Sequence, residues 1–493
     1  MHLTRRRFST YVLSSLAAVR AVALAPRPKL LILLIVEQLR PEYIAAAAPQ
    51  FGTGGLKRLL EKGAWFPDCR HAACAFPLTS LATLATGAWP SQHGIVADSW
   101  YDRQSKSRVS ASDEALLATT LSAQVAAADP KHNRVYVISL SAPQGWLYAG
   151  TPAAHVYWMD DRGRFITRGT SPDWLAAFNA RIPVENHHDA AWSAVGARTG
   201  APALRILSFD PAHPAQFLAL YKASPFGQSS QLDLLSEMVV RENLGRGDNF
   251  DFVSVLCGSS ELLGYEVGGS SPLMPQMILQ LDRRIETLLN QLDSLLGQNG
   301  YDLVLAGAHG APPLPADETR ARTVVNGETI ADAVEKALAA ASAGRVRRYL
   351  YPFLYLDPAP DRDPEEVRKL AVRAALELPP VAGYYTAGAA CSTHDEFARR
   401  FANSFHLKRS GDVMLSYRPE YVEDYGQPRG ISYGSLYNYD VCVPLCFYGA
   451  QFRAGSFEAP VESVDLAPTL ARAMGAAVPS SSVGRVLGEA FQT

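Results

Sequence analysis

The sequence predicts an α/β protein, a three-layer α/β/α sandwich with a mostly parallel central sheet and inserted cap segments. Three observations predict it. Short apolar runs rich in β-branched and aromatic residues recur along the chain, helical periodicities fall between them, and the chain is long enough to bury a large core. With 493 residues, 48% hydrophobic and 19% charged, the composition is that of a folded body.

The apolar runs at 29–36, 134–140, 251–257, 302–307 and 443–448 have the length and content of core strands. Apolar side chains repeat at helical spacing over 54–62, 115–127, 231–243, 274–296, 329–341 and 364–377. The run LLILLIV, residues 30–36, is too short to cross a bilayer and suits a buried strand. Residues 155–228 are richer in Trp, Pro, Ala and His and less regular, as expected of a cap inserted beside the sheet. Residues 311–430 read as a second excursion that ends in an antiparallel element around RSGDVMLSY. The chain carries no internal repeat and no low-complexity tract.

The N-terminus reads as an export signal over residues 1–25, and the length of the remaining 26–493 suits one α/β architecture with insertions as well as several domains. Thr4-Arg5-Arg6-Arg7-Phe8 has the twin-arginine pattern, a mildly apolar stretch follows to Leu24, and Ala21-Val22-Ala23 offers a small-residue cleavage site. A periplasmic or secreted bacterial protein is therefore expected, with no transmembrane segment beyond the signal. A net charge of −2 gives no reason to expect nucleic acid or an anionic membrane as partner. Cys69, Cys74, Cys257, Cys391, Cys442 and Cys446 show no paired C-x-x-C spacing. Cys257 and Cys446 lie in apolar strand-like runs that suit reduced, buried thiols.

The most informative stretch is AFPLTSLATLATGAWPSQHGIVADSWYDR, residues 75–103. Together with KLLILLIVEQLRPEYI, HVYWMDDRGRFITRGTSPDWLAAFN, FDFVSVLCGSSELLGYEVGG, YDLVLAGAHGAPP, FANSFHLKRSGDVML, YNYDVCVPLCFYGA and VDLAPTLARAMG, it resembles the alkaline phosphatase superfamily. The likeness is to the nucleotide pyrophosphatase/phosphodiesterase-like branch, and most closely to its periplasmic single-domain phosphomonoesterases. It implies the alkaline phosphatase-like sandwich and two zinc ions on six Asp and His ligands outside the carboxyl ends of the strands.

At the positions where the resemblance implies chemistry, this chain departs from the pattern. The nucleophile position falls on Pro77, or on Leu78 with a slip of one residue, and neither side chain can attack phosphorus. Proline suits the first turn of a helix, so the helix start is expected to survive without its hydroxyl. Thr79 and Ser80 stand beside it as fallback nucleophiles. The asparagine that would donate to phosphate is Asp98, and the Lys-x-Arg that would neutralise it reads Ser141-Ala142-Pro143.

The six implied metal-ligand positions are Glu37, Glu261, Tyr265, Ala308, His309 and Cys442, of which His309 alone keeps the family's residue type. Glu37 and Glu261 replace aspartates, and Tyr265 offers a phenol where the pattern has an imidazole. On this arrangement Glu37 and His309 would remain on one metal position, with Glu261 and Cys442 on the other.

His93 is expected to hydrogen-bond or pack behind the nucleophile helix. His187 and His188 read as surface residues, and Trp146, Tyr148, Tyr157 and Trp158 as packing of core and cap. Two functional classes follow. The favoured one is an exported pseudoenzyme that needs no cofactor and binds an unidentified ligand or protein partner at the cleft or cap. The alternative is an active hydrolase of phosphate or sulfate esters on a rewired site, with one zinc ion on Glu37, Glu261, His309 and Cys442, or with no metal.

Overall fold

The structure, a computed structural model, describes residues 27–312, 324–386, 396–424 and 433–492. The export signal, its cleavage site and Cys391 lie outside the described residues.

Strand β1, Leu30–Val36, is buried along its whole length. The strands labelled here are β2 (Ala64–Arg70), β3 (Asn133–Ser139), β4 (His155–Met159), β5 (Phe165–Thr167), β6 (Phe250–Cys257), β7 (Asp302–Gly307) and, later in the chain, β12 (Cys442–Gly449). In the central sheet they run in the order β2-β12-β7-β1-β6-β3-β4-β5. The middle of the sheet is parallel: β1 pairs with β6 and β7, β6 with β3, and β3 with β4. Towards the edges β12 is antiparallel to β7 and β2, and β5 to β4.

Side chains alternate across a strand, so β1 feeds two cores at once. Leu31, Leu33 and Ile35 pack with helices α2 (Pro77–Thr86), α3 (Leu121–Ala128), α4 (Ala142–Ala149) and α10 (Leu466–Met474). Leu30, Ile32, Leu34 and Val36 face α1 (Leu56–Lys62), α5 (Pro225–Arg241) and α7 (Leu273–Leu296). The three expected layers are present.

Two expected boundaries move. The stretch 155–228 opens with β4 and β5, which extend the central sheet, and closes inside α5, whose start at Pro225 is capped by Ser224. The alternating apolar run HVYWM satisfies its backbone by pairing with β3, and between β5 and α5 the chain forms two short helices, Asp173–Arg181 and Pro214–Lys222, and a small hairpin of Ala190–Trp192 with Arg205–Leu207. Likewise residues 115–120 precede α3, which begins after the Thr120 side chain accepts from the Ala123 N–H.

Within 311–430, a separate antiparallel sheet has the order β8 (Gly344–Leu350), β9 (Phe353–Pro358), β11 (Val413–Tyr417), β10 (Val381–Thr386). Helices α8 (Glu328–Ala340) and α9 (Pro364–Leu376) cover it through Ile330, Val334, Val367 and Ala371, giving this unit its own core.

Candidate functional site

The parallel strands deliver side chains to their common carboxyl end, where open α/β sheets place their ligands. Glu37 follows β1 directly, Ala308 and His309 follow β7, and Glu261 lies in the first turn of α6 (Ser259–Val267), just after β6. One donor atom from each of Glu37, Glu261 and His309 lies within 4.8 Å of the others.

Each of these three side chains is held from behind. Gln144 of α4 donates from Nε2 to both Glu37 oxygens, at 3.1 and 3.3 Å. The Tyr433 hydroxyl donates to Glu261 Oε1 at 3.2 Å. His309 Nδ1 lies 2.8 Å from the Gly310 carbonyl, an acceptor only, so the proton is on Nδ1. Its Nε2 is buried and has no hydrogen-bond partner. Burial raises the Glu37 carboxyl well above its ordinary value, with the neighbouring Glu261 adding to the shift, and burial lowers the His309 imidazole.

The α2 start is built differently. Phe76 is extended at φ −74°, ψ 157°, as a residue before proline prefers, and Pro77 opens the helix. The helix ends at Gly87, whose φ of 65° is the left-handed conformation of a C-terminal cap. At its head the Leu78 N–H donates to Asp98 Oδ1 at 3.1 Å. Burial is the largest cause that pushes the Asp98 carboxyl up to about 7; the Leu78 N–H pulls the other way and Glu261 adds to the rise.

Thr79 and Ser80 are buried in the first turn, and neither hydroxyl has a hydrogen-bond partner. Behind them Ile95 N–H donates to His93 Nδ1 at 3.1 Å, which leaves Nε2–H to donate to Thr83 Oγ1 at 3.0 Å.

The remaining sequence-derived positions stay outside the donor group. Ala308 supplies only its backbone, its N–H donating to the Val36 carbonyl. Tyr265 stacks obliquely with Tyr433, ring centres 6.5 Å apart. The Ser141 N–H donates to Ser139 Oγ, and Pro143 enters the first turn of α4.

Cys442 corrects the four-ligand set expected for a rewired metal. Its thiol donates to Asp68 Oδ1 at 3.3 Å, because Cys442 opens β12 opposite Arg70 of β2. Burial and the Asp68 carboxylate push this thiol up to about 12, so it stays protonated. Glu37, Glu261 and His309 lie together in one group of donors.

A cleft of about 370 Å³ lies alongside, lined by Phe76, Asp98, Arg108, Tyr265, Tyr351 and Tyr433 among others. Trp146, Tyr148, Tyr157 and Trp158 are not in its wall: Tyr148 and Tyr157 are core, and Trp146 packs edge-on against Trp158. His187 packs on Tyr221 and Phe226, and His188 stacks on Phe209 at 3.6 Å.

Sequence reasoning missed Gln144 and Tyr433. Gln144 stands one residue past the Ser141-Ala142-Pro143 turn searched for cations, and its proximity could have flagged it. Tyr433 comes from a distant segment without periodicity, and nothing local marks it.

The sequence pattern of the type I phosphodiesterase / nucleotide pyrophosphatase family matches residues 31–429. The chain belongs to this family. It is 24% identical to alkaline phosphatase PafA of Elizabethkingia meningoseptica, over 97% of each chain. It is 23% identical to alkaline phosphatase PhoV of Synechococcus elongatus, covering 94% of this chain and 92% of the relative. Among solved structures, wild-type PafA superposes with a TM-score of 0.81 at 22% identity, covering 95% of this chain and all of PafA. Murine ectonucleotide pyrophosphatase/phosphodiesterase 5 gives 0.59 at 13% identity, over 91% and 95% of the two chains. These likenesses establish the alkaline phosphatase-like fold. Among the described residues no helix is long and apolar enough to cross a membrane.

Proposed function

We propose that this chain is a phosphatase-family protein that has lost the family's metal-dependent phosphoryl transfer. It acts by binding, with a ligand in the cleft or a partner on the cap. The observation that carries this reading is the head of α2, where Pro77 replaces an attacking group and the Leu78 N–H is already taken by the Asp98 carboxylate. An arriving phosphoryl group needs a nucleophile and preorganised donors at that point. It meets a proline ring and the Asp98 carboxyl group that already occupies the Leu78 N–H.

A two-zinc centre does not fit the donor set. Among the described residues one group of three metal-capable side chains forms, whereas two catalytic zinc ions need about three protein ligands each.

A second reading, a hydrolase of phosphate or sulfate esters on a rewired site, draws support from two observations. Relatives along nearly the whole chain are named alkaline phosphatases, and the donor group itself has the chemistry of a metal site. On either reading we infer export through the Thr4–Phe8 twin-arginine pattern.

The deciding experiment assays purified mature protein, with added zinc, on aryl phosphate mono- and diesters. No turnover above buffer is expected. Turnover that disappears in His309→Ala would establish the second reading.

A further inference from the structure

We propose that the cleft between the sandwich and the antiparallel unit binds an organic cation, an alkylated ammonium head set against aromatic rings and ringed by carboxylates. The proposal rests on the reading that this chain works by binding a ligand in that cleft, and it names the class of ligand.

Two independent observations carry it. The first is a continuous line of rings in the cleft wall. Tyr351 meets Phe76 edge-on with ring centres 6.3 Å apart, Phe76 meets Tyr433 the same way at 6.2 Å, and Tyr433 lies 6.5 Å from Tyr265. The π face of such a ring carries partial negative charge and attracts a cation that has shed part of its water.

The second observation is the charge of the wall. Asp98, Glu328 and Asp424 bring carboxyl groups to the same cleft, against the one guanidinium of Arg108 among the lining residues. Neither Asp98 nor Glu328 has an ion-pair partner among the described residues. Arg108 donates from Nε to Ser99 Oγ at 2.8 Å. A phosphate or carboxylate ligand would enter against a net negative wall.

The arrangement distinguishes an organic cation from a metal ion. Among the described residues, the one group of three metal-capable side chains with donor atoms within 4.8 Å of one another includes none of these carboxylates. They are spread around the wall, whereas a bare metal ion needs converging oxygens and draws nothing from rings. A substituted ammonium has the bulk to meet both rings and carboxylates. At about 370 Å³ the cleft falls in the range of small-ligand sites.

The acidic rim is held in place by its own contacts. The Gly327 N–H donates to Glu423 Oε1 at 3.2 Å, and the Glu328 N–H donates to Asn326 Oδ1 at 3.1 Å, which fixes the start of α8. Glu423 in turn accepts from the hydroxyls of Tyr349 and Tyr417, at 2.8 and 2.6 Å. A rim ordered in advance lowers the cost of binding.

The test is calorimetric titration of full-length mature protein with benzyltrimethylammonium chloride, with benzyl alcohol and benzoate as neutral and anionic controls. It is run at about pH 8.5, where the Asp98 carboxyl, raised to about 7, is ionised. One ammonium per chain is expected, with both controls about tenfold weaker or more. Affinity should fall about 2- to 30-fold in Tyr351→Leu and about 2- to 5-fold in each of Asp98→Asn and Glu328→Gln, and should weaken with added salt. Thermal unfolding checks that each variant folds. Should Tyr351→Leu fail to fold, Glu328→Gln, an exposed position, carries the comparison.

No binding of the ammonium, equal or tighter binding of either control, or an affinity indifferent to all three substitutions would overturn the proposal. Aryl phosphate turnover would sink the binding-protein reading and leave the cation site standing, whereas a control that outcompetes the ammonium would do the reverse.

Discussion

The strand ends and the head of α2 differ in what they offer: the first brings together donors of metal-binding type, and the second has neither a hydroxyl at Pro77 nor a free N–H at Leu78. At the strand ends, three donors converge and each has a partner that orients it. At the helix head, the Leu78 N–H is bound to Asp98, and Pro77 itself carries no hydroxyl. The difference teaches that capacity for a cation and capacity for a phosphoryl group are separable. Donors for a metal come from several strands and survive the loss of some, whereas attack requires one atom in one place.

The largest test of this contrast pairs a change in each region. His309→Ala should lower zinc affinity roughly 100-fold or more, and Pro77→Thr with Asp98→Asn should leave it within about twofold. Comparable losses from both, read by titration, would break the distinction. Turnover gained by the Pro77→Thr, Asp98→Asn pair alone would show that the helix head was the sole defect.

Next in size is the pH dependence caused by Asp98. Its folded carboxyl is raised to about 7, above the ordinary value near 4, so the folded state binds the proton more tightly than the unfolded chain. The stability it contributes is full below pH 4 and is lost as pH rises through 7. Asn at this position keeps the acceptor for Leu78 and removes the charge. In chelated protein, Asp98→Asn should therefore flatten the stability profile between pH 4 and 7, by up to about tenfold in the unfolding constant per pH unit. Urea denaturation across that range reads it, and parallel profiles for the two proteins would refute a buried charge at the helix head.

The smallest effect concerns the support behind the helix. Thr83→Val leaves the His93 Nε2–H without its acceptor and should cost about 1–3 kcal/mol of stability. Zinc affinity should not change, because this contact serves α2 and not the strand ends. A matching fall in metal binding would show that the two regions are mechanically coupled.

Much of the scaffold was legible because its signals are local. The run LLILLIV could be read as β1, since a strand buried on both faces is apolar at every position. Helix α7 matched its periodicity to within a residue, because a long amphipathic stripe averages over many turns. Strand β2 was not anticipated: AWFPDCR contains a proline and two charged residues, and its pairing with β12 across the chain makes it a strand.

By itself the sequence determined that Glu37, Glu261 and His309 follow core strands, that the helix opens on proline, and that Ser141-Ala142-Pro143 follows β3. Residue identity and short-range spacing decide those points. Only the tertiary structure decided that the three donors meet, that Cys442 turns to Asp68, and that Asp98 occupies the Leu78 N–H. These depend on contacts between residues far apart in the chain, or on side-chain direction, which the packing of parallel strands against helices decides and local spacing does not.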